Sequence, residues 1–256
     1  MYKLIATDLD GTLLTSDKKI TNNSIDAINN IKEKDYIVVA VTARSFNSIK
    51  SICDISIFDY IILNNGTSMV RNGVGSNIAI LDKDIPYNIV EELNDVVDEI
   101  DCASLNNYYI LDEKHDMGVN FRIKVNTIDE IDEDICRMNI FLKDDTKLDY
   151  YKDYLNDKYS VNSFIMEDSE KKLKWLVVNP RGVNKERTLE DLGNELGISL
   201  DEMIFFGDSL NDLEVMGSVG YSIAVSNAVE EVKQKANKVT LSNDEDGVAY
   251  ILNSLK

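Results

Sequence analysis

The chain has 256 residues, 44% hydrophobic and 29% charged, an ordinary globular mix that is long enough for one large domain or two modest ones. Lys and Arg number 27 against 46 Asp and Glu, and the resulting net charge of -19 speaks against nucleic-acid backbones and anionic membranes as partners. A single histidine, His115, excludes HExxH and multi-histidine metal sites, and three scattered cysteines without a CxxC pair (Cys53, Cys102, Cys136) read as small, reduced, buried side chains.

The apolar run in residues 3–7 predicts a short buried strand that stops at Asp8, too short for a leader or a membrane span. A polar loop follows to about residue 20. Ile25, Ile28 and Ile31 then share one helical face over residues 23–34. Residues 36–41 are apolar on both faces, as in a parallel strand. A short helix near Ile49 and Ile52 and a strand over 60–63 complete a strand–helix alternation, the signature of a parallel α/β sheet.

After Leu81 the pattern changes. A helix is predicted over 86–100, with Pro86 in its first turn. Strands are expected at 102–105, 108–111, 137–142, 161–167 and 173–178, with a helix at 147–156. This segment reads as a small α+β domain inserted over residues 83–181. The parallel pattern then resumes, with a helix at 184–196, a strand at 203–206, a helix after Asp208, a strand at 221–225 and helices at 229–236 and 248–255. The expected fold is thus α/β, a doubly wound, Rossmann-like parallel sheet from residues 1–82 and 182–256 with an α+β insert.

The chemistry gathers at predicted strand ends, where open parallel sheets bind ligands. Asp8-Leu9-Asp10-Gly11-Thr12-Leu13 places two carboxylates two residues apart, on one side of an extended chain. Such a pair suits a hard cation such as Mg²⁺, and Gly11 lets the chain turn away. Thr42 ends the second strand. Alone, it reads more readily as a helix cap, as Lys185 alone reads as a solvated helix residue. Asp208 and Asp212 fit helix capping as well as coordination, and the two are compatible.

The Asp8 string resembles the first motif of the haloacid dehalogenase superfamily, and within it the Cof-type phosphatases with a type IIB cap. Val41-Thr42-Ala43-Arg44, Gly182-Val183-Asn184-Lys185 and Gly207-Asp208-Ser209-Leu210-Asn211-Asp212 are similar to the second, third and fourth motifs. They occur in the family's order across nearly the whole chain. The insert lies between the second and third, where that cap belongs.

The resemblance implies a Mg²⁺-dependent phosphatase acting on small phosphorylated metabolites. It implies Asp8 as the nucleophile that becomes an aspartyl-phosphate. Asp10 would be general acid and then base, protonated while Asp8 is not, and would lend its backbone carbonyl to the metal. Asp208 would complete the metal ligands with Asp8 and Asp10, and Thr42 and Lys185 would hold phosphoryl oxygens. Asp212 and Asn211 would support the site, Asp212 by holding Lys185 or a metal-bound water. Ala43, Arg44 and Asn65 are weaker candidates for substrate contact.

Ala43 and Ser226 stand where the family usually has glycine, and Glu186 where it usually has a small residue. In the insert, Tyr108, Tyr109, His115, Arg122 and Lys174 could touch a leaving group, but each reads more readily as core or surface, His115 as an exposed loop residue. A phosphosugar mutase of the same cap type and a non-catalytic phosphate-binding module are the alternatives. Scattered Arg122 and Arg137 speak against the mutase. A cytoplasmic protein is expected, without nucleic-acid or membrane partners, with a monomer as the default and a dimer as the alternative.

Overall fold

A computed structural model describes residues 2–115, 122–168 and 171–255. The chain begins with β1 (Leu4–Thr7), α1 (Asn22–Lys32), β2 (Ile37–Val41), α2 (Phe46–Lys50), β3 (Tyr60–Leu63), β4 (Ser68–Arg71) and β5 (Val74–Asn77). It continues through α3 (Asp84–Leu93), β6 (Val97–Ala103), β7 (Tyr108–Leu111), β8 (Arg122–Lys124), β9 (Arg137–Leu142), α4 (Leu148–Tyr159), β10 (Val161–Asp168) and β11 (Leu173–Pro180). It ends with α5 (Lys185–Leu196), β12 (Met203–Gly207), α6 (Leu213–Ser218), β13 (Tyr221–Ala224), α7 (Glu230–Lys235), β14 (Lys238–Val239) and α8 (Gly247–Leu252).

Among the described residues the strands form two sheets. The larger has the order β14-β13-β12-β1-β2-β3-β4-β5, parallel from β14 to β3 and antiparallel from β3 to β5. The central strands β1, β2, β3 and β12 are mainly apolar because both faces are covered, while the edge strands β14 and β5 are largely exposed. Ile5, Val38, Ile204 and Phe206 pack against Ile28 and Ile31 of α1 and Val248 and Ile251 of α8. Leu4, Val39, Met203 and Phe205 pack against Leu189 and Leu192 of α5, Met216 of α6 and Val232 of α7. Phe206 is fully buried, so truncating it to Ala costs about 3–5 kcal/mol.

The β4–β5 hairpin is absent from the sequence reading, although Asn72-Gly73 marks it. Both residues have positive φ, 51° and 75°, as a tight hairpin turn requires.

The second sheet has the order β10-β11-β9-β6-β7-β8. One face carries Ile100, Cys102, Met138, Ile140, Leu176 and Val178 against α3 and α4. The predicted helix over 86–100 is shorter in the structure, because α3 ends at Leu93 and β6 begins at Val97. The charges misled the reading: Glu99 and Asp101 look like the wet side of a helix, yet both are buried on the other face of β6 and paired with Arg122. The predicted strand at 102–105 accordingly covers only the end of β6 and the turn after it. Among the described residues no helix is long and apolar enough to cross a membrane.

Candidate active site

Neighbouring strands β12, β1, β2 and β3 bring Asp208, Asp8, Thr42 and Asn65 to one edge of the larger sheet. The N–H of Asp8 donates to the Phe206 carbonyl at 2.9 Å, so pairing extends one residue beyond β1. The chain then folds back, with the N–H groups of Thr12 and Leu14 donating to the Leu9 carbonyl at 3.2 and 2.8 Å. Gly11 has φ +82°, and a Cβ there would stand 2.5 Å from Asp208 Oδ2. Only glycine meets both demands.

Lys185 opens α5 behind the N-cap Asn184, whose Oδ1 accepts from the Arg187 N–H at 2.7 Å. The turn after β3 fixes this helix start. Gly66 lies so close that a Cβ would meet the Asn184 carbonyl oxygen at 2.3 Å, and Thr188 Oγ1 donates to the Gly66 carbonyl at 2.8 Å. Lys185 is 2% exposed, and its Nζ donates to Asp8 Oδ1 at 2.7 Å and to Asp212 Oδ1 at 2.8 Å. Asp212 Oδ2 accepts from the N–H groups of Asp208 and Ser209 at 3.0 and 3.1 Å, so it caps its turn while holding Lys185. Thr12 Oγ1 donates to Asp208 Oδ1 at 2.8 Å.

Asp8, Asp208 and Asp212 each bring a carboxylate oxygen within 4.8 Å of the others. Three hard oxygen donors and one ammonium leave an excess of negative charge, which fits a cation such as Mg²⁺. The strain of this crowding is visible in protonation. Burial, then the neighbouring Asp212, pushes Asp208 up to about 7. Burial and the carboxylates of Asp212 and Asp208 likewise raise Asp8 well above the usual range, against the pull of Lys185. Burial opposes the charge on Lys185, but Asp212 and Asp8 outweigh it and raise its pKa.

Asp10 faces elsewhere. Arg44 donates to it from Nε and Nη2, at 2.6 Å each, and Lys18 Nζ lies 3.0 Å from its Oδ1. Burial alone would raise Asp10, but Arg44 and Lys18 lower it instead. Asp10 is thus held below its ordinary range by its cationic partners, whereas Asp8 is held above it. The Arg44 guanidinium holds Asp10 and, through Nη1, donates to Ser48 Oγ at 2.9 Å.

Thr42 Oγ1 accepts from the Arg44 N–H at 3.2 Å, and Ser45, not Thr42, is the N-cap of α2. Asn65, at φ 57°, accepts from Asn211 Nδ2 at 3.0 Å, which engages one of the two amide N–H donors of Asn211. The turn between β6 and β7 docks on this edge. Phe46 N–H donates to the Leu105 carbonyl at 2.9 Å, Asn47 N–H to the Asn106 carbonyl at 3.2 Å, and Tyr108 O–H to the Ala43 carbonyl at 2.5 Å.

The other residues considered from the second sheet have partners away from Asp8. Tyr109 donates to Glu133, Arg122 pairs with Glu99 and Asp101, and Lys174 lies 3.5 Å from Glu167. His115 is half-buried with its ring 5.0 Å from that of Phe141, rather than exposed. Glu186 bonds Ser218. The sequence reading missed Thr12, Lys18 and Asn227, whose Nδ2 donates to the Gly11 carbonyl at 2.7 Å. Thr12 lay inside the first motif. Lys18 carried no signal, because it lies in a loop whose course cannot be read from spacing.

The haloacid dehalogenase-like hydrolase family model matches residues 5–252. The chain belongs to this family. It is a hydrolase of the haloacid dehalogenase type, and similarity extends along its full length. The 5-amino-6-(5-phospho-D-ribitylamino)uracil phosphatase YitU of Bacillus subtilis is 28% identical, covering 97% of this chain and 96% of its own. A haloacid dehalogenase-like hydrolase from B. subtilis superposes with a TM-score of 0.83 at 24% identity, covering 99% of this chain and 100% of its own. A subclass IIB sugar phosphatase superposes with a TM-score of 0.79 at 19% identity, covering 98% of each chain. These two likenesses show the α/β core fold with its additional sheet.

Proposed function

We propose that this hydrolase is a Mg²⁺-dependent phosphatase of small phosphorylated metabolites, with Asp8 as nucleophile. One observation carries the reading: Asp8 is buried at a central strand end, 2.7 Å from the Lys185 ammonium and within one cation's reach of Asp208 and Asp212. A lone carboxylate for acid chemistry needs neither the ammonium nor the two acidic neighbours, whereas phosphoryl transfer needs both a positioned nucleophile and concentrated positive charge.

Asp8, Asp208 and the Asp10 backbone carbonyl would hold the Mg²⁺. When bound, the ion supplies charge neutralisation for phosphoryl oxygens. Lys185 and Thr42 position the phosphoryl group. Asp8 attacks phosphorus through a carboxylate oxygen while the leaving oxygen departs with a proton from Asp10. Water then attacks the aspartyl-phosphate and gives a proton back to Asp10, restoring both carboxyl groups and releasing phosphate.

Residues 83–181, which include the whole second sheet, act in this reading as a cap over a core of residues 1–82 and 182–256. The relative named for a phosphoribitylamino compound supports a small, hydroxylated phosphomonoester as substrate. The charge of -19 supports a protein free of nucleic-acid and membrane partners, in keeping with a cytoplasmic enzyme.

The test is phosphate release from a panel of phosphorylated sugars and polyols, with Mg²⁺ or with EDTA. Release that needs Mg²⁺ and is abolished in Asp8→Asn is the expected outcome. Normal turnover by Asp8→Asn overturns the nucleophile assignment.

A further inference from the structure

A cleft of about 260 Å³ opens onto Lys185 between the two sheets. Asn65 and Asn211 line it from the larger sheet, and Asn162, Phe164 and Asn179 line it from the second. Asn162 and Asn179 are direct cross-strand partners of β10 and β11. Their neighbours Val161 and Val178 turn to the opposite face and pack with the helices. Phe164, two residues on from Asn162, shares its face and adds an aromatic wall beside Trp175 and Val177.

Asn179 is 0% exposed, yet neither its Oδ1 nor its Nδ2 has a hydrogen-bond partner. An amide stripped of water and left unpaired is costly, and one that also lines a cleft is a group that a bound ligand can complete. The location selects the ligand. The cleft reaches Lys185, whose Nζ holds Asp8 at 2.7 Å, so a substrate engaged at Asp8 would extend its leaving group along this wall.

The wall also selects charge. Lys185 is the cation among the residues lining the cleft, and it is already shared by Asp8 and Asp212. Glu214, also on the wall, is anionic. Amide groups offer both donors and an acceptor, which suit hydroxyls, while among the described lining residues a second anionic group would find no free counter-charge.

Resting on the phosphatase reading, we propose that Asn179, seconded by Asn162 and Phe164, is the specificity site for an uncharged, hydroxylated leaving group. Asn179 hydrogen-bonds that group's hydroxyls and takes no part in transfer of the phosphoryl group.

The experiment compares wild type, Asn179→Ala and Asn162→Ala on ribitol 5-phosphate, glucose 6-phosphate, fructose 1,6-bisphosphate and phenyl phosphate, whose leaving group has no hydroxyl side groups. For Asn179→Ala, kcat/KM on the better hydroxylated monophosphate is expected to fall about tenfold to a hundredfold, with phenyl phosphate changed by less than about twofold. The bisphosphate is expected to be the poorer of the sugar substrates. Equal loss on all compounds, or no loss on any, overturns the assignment. If Asn179→Ala does not fold, Asn162→Ala at the half-buried partner position must show the same selective loss, and uniform behaviour there overturns it as well. Wild type that is idle on every compound overturns the phosphatase reading itself, whereas an active wild type with unselective variants overturns only the specificity site.

Discussion

Arg44 grips Asp10 with two parallel hydrogen bonds, Nε to Oδ2 and Nη2 to Oδ1, both 2.6 Å long. This fork geometry is the strong form of an ion pair, and Ser48 steadies the third nitrogen. Arg44 itself is 7% exposed, so water competes poorly for its donors. In the proposed reaction Asp10 must carry a proton to the leaving group. The carboxyl therefore has to exchange this pair for the substrate before it can act.

The first prediction concerns pH. Removing Arg44 removes the group that lowers Asp10, so the Asp10 pKa rises. In Arg44→Leu the alkaline limb of the kcat/KM profile should move to higher pH, while kcat falls because Asp10 loses its orientation. Arg44→Lys keeps the charge without the fork and should give a smaller shift. A pH–rate profile decides it, and an unmoved limb in Arg44→Leu removes Arg44 from control of the acid.

The second concerns stability. Asp208 is raised from 3.8 to about 7 by burial and its acidic neighbours. Between these values the folded state binds more protons at this site than the unfolded chain does. Its contribution to stability therefore declines as pH rises through that window. Asp208→Asn should melt higher than wild type in EDTA at pH 8, with the gap closing near pH 4, and should lose the stabilisation that Mg²⁺ gives wild type. Melting curves at both pH values, with and without Mg²⁺, measure this. A gap independent of pH argues against it.

The third concerns Thr12, whose hydroxyl orients Asp208 at 2.8 Å. Groups that orient a metal ligand matter nearly as much as the ligand. Thr12→Val should raise the Mg²⁺ concentration for half-maximal activity by about tenfold to a hundredfold, with saturating-metal kcat much less affected. A Mg²⁺ titration of phosphate release is the measurement.

The fourth concerns Gly66. A methyl there meets the Asn184 carbonyl at 2.3 Å, at a φ of +105°. Gly66→Ala should push back the start of α5 and with it Lys185. We expect a loss of about 1–3 kcal/mol in urea unfolding from the strained backbone. Turnover should drop about a hundredfold, as for a misplacement of the order of 1 Å. Intact turnover would show that the helix start yields without moving its lysine.

Much of this site was legible because its chemistry is local. Asp8, Thr42, Lys185 and Asp208 each end a strand or open a helix within a short recognisable string, and strand ends in a parallel sheet converge by topology. What escaped is non-local. Lys18 reaches Asp10 from the loop before α1, and nothing in the neighbourhood of Arg44 in the sequence names Asp10 as its partner. Asn179 fell just past the predicted strand over 173–178, although β11 runs on to Pro180, and nothing local marks it as lining a cleft. Glu99 and Asp101 show the same effect at the level of the fold. Their distant partner Arg122 makes burial tolerable, and without it the segment reads as helix.

Part of the seam between the two sheets is written in main chain, beside side-chain bonds such as Asn47 to Asn107 and Asn64 to the Ser104 carbonyl. Phe46 and Asn47 donate their N–H groups to the carbonyls of Leu105 and Asn106, and Tyr108 reaches the carbonyl, not the methyl, of Ala43. Main-chain bonds ask little of the side chains that carry them. Asn106 can therefore be exchanged with small effect on its main-chain bond, whereas Leu105 also packs its side chain on the larger sheet, and the face bearing Asn162 and Asn179 is revised independently. A chain built this way can acquire a new substrate by editing a few positions on two strands, with the joint that aligns the halves left as it was.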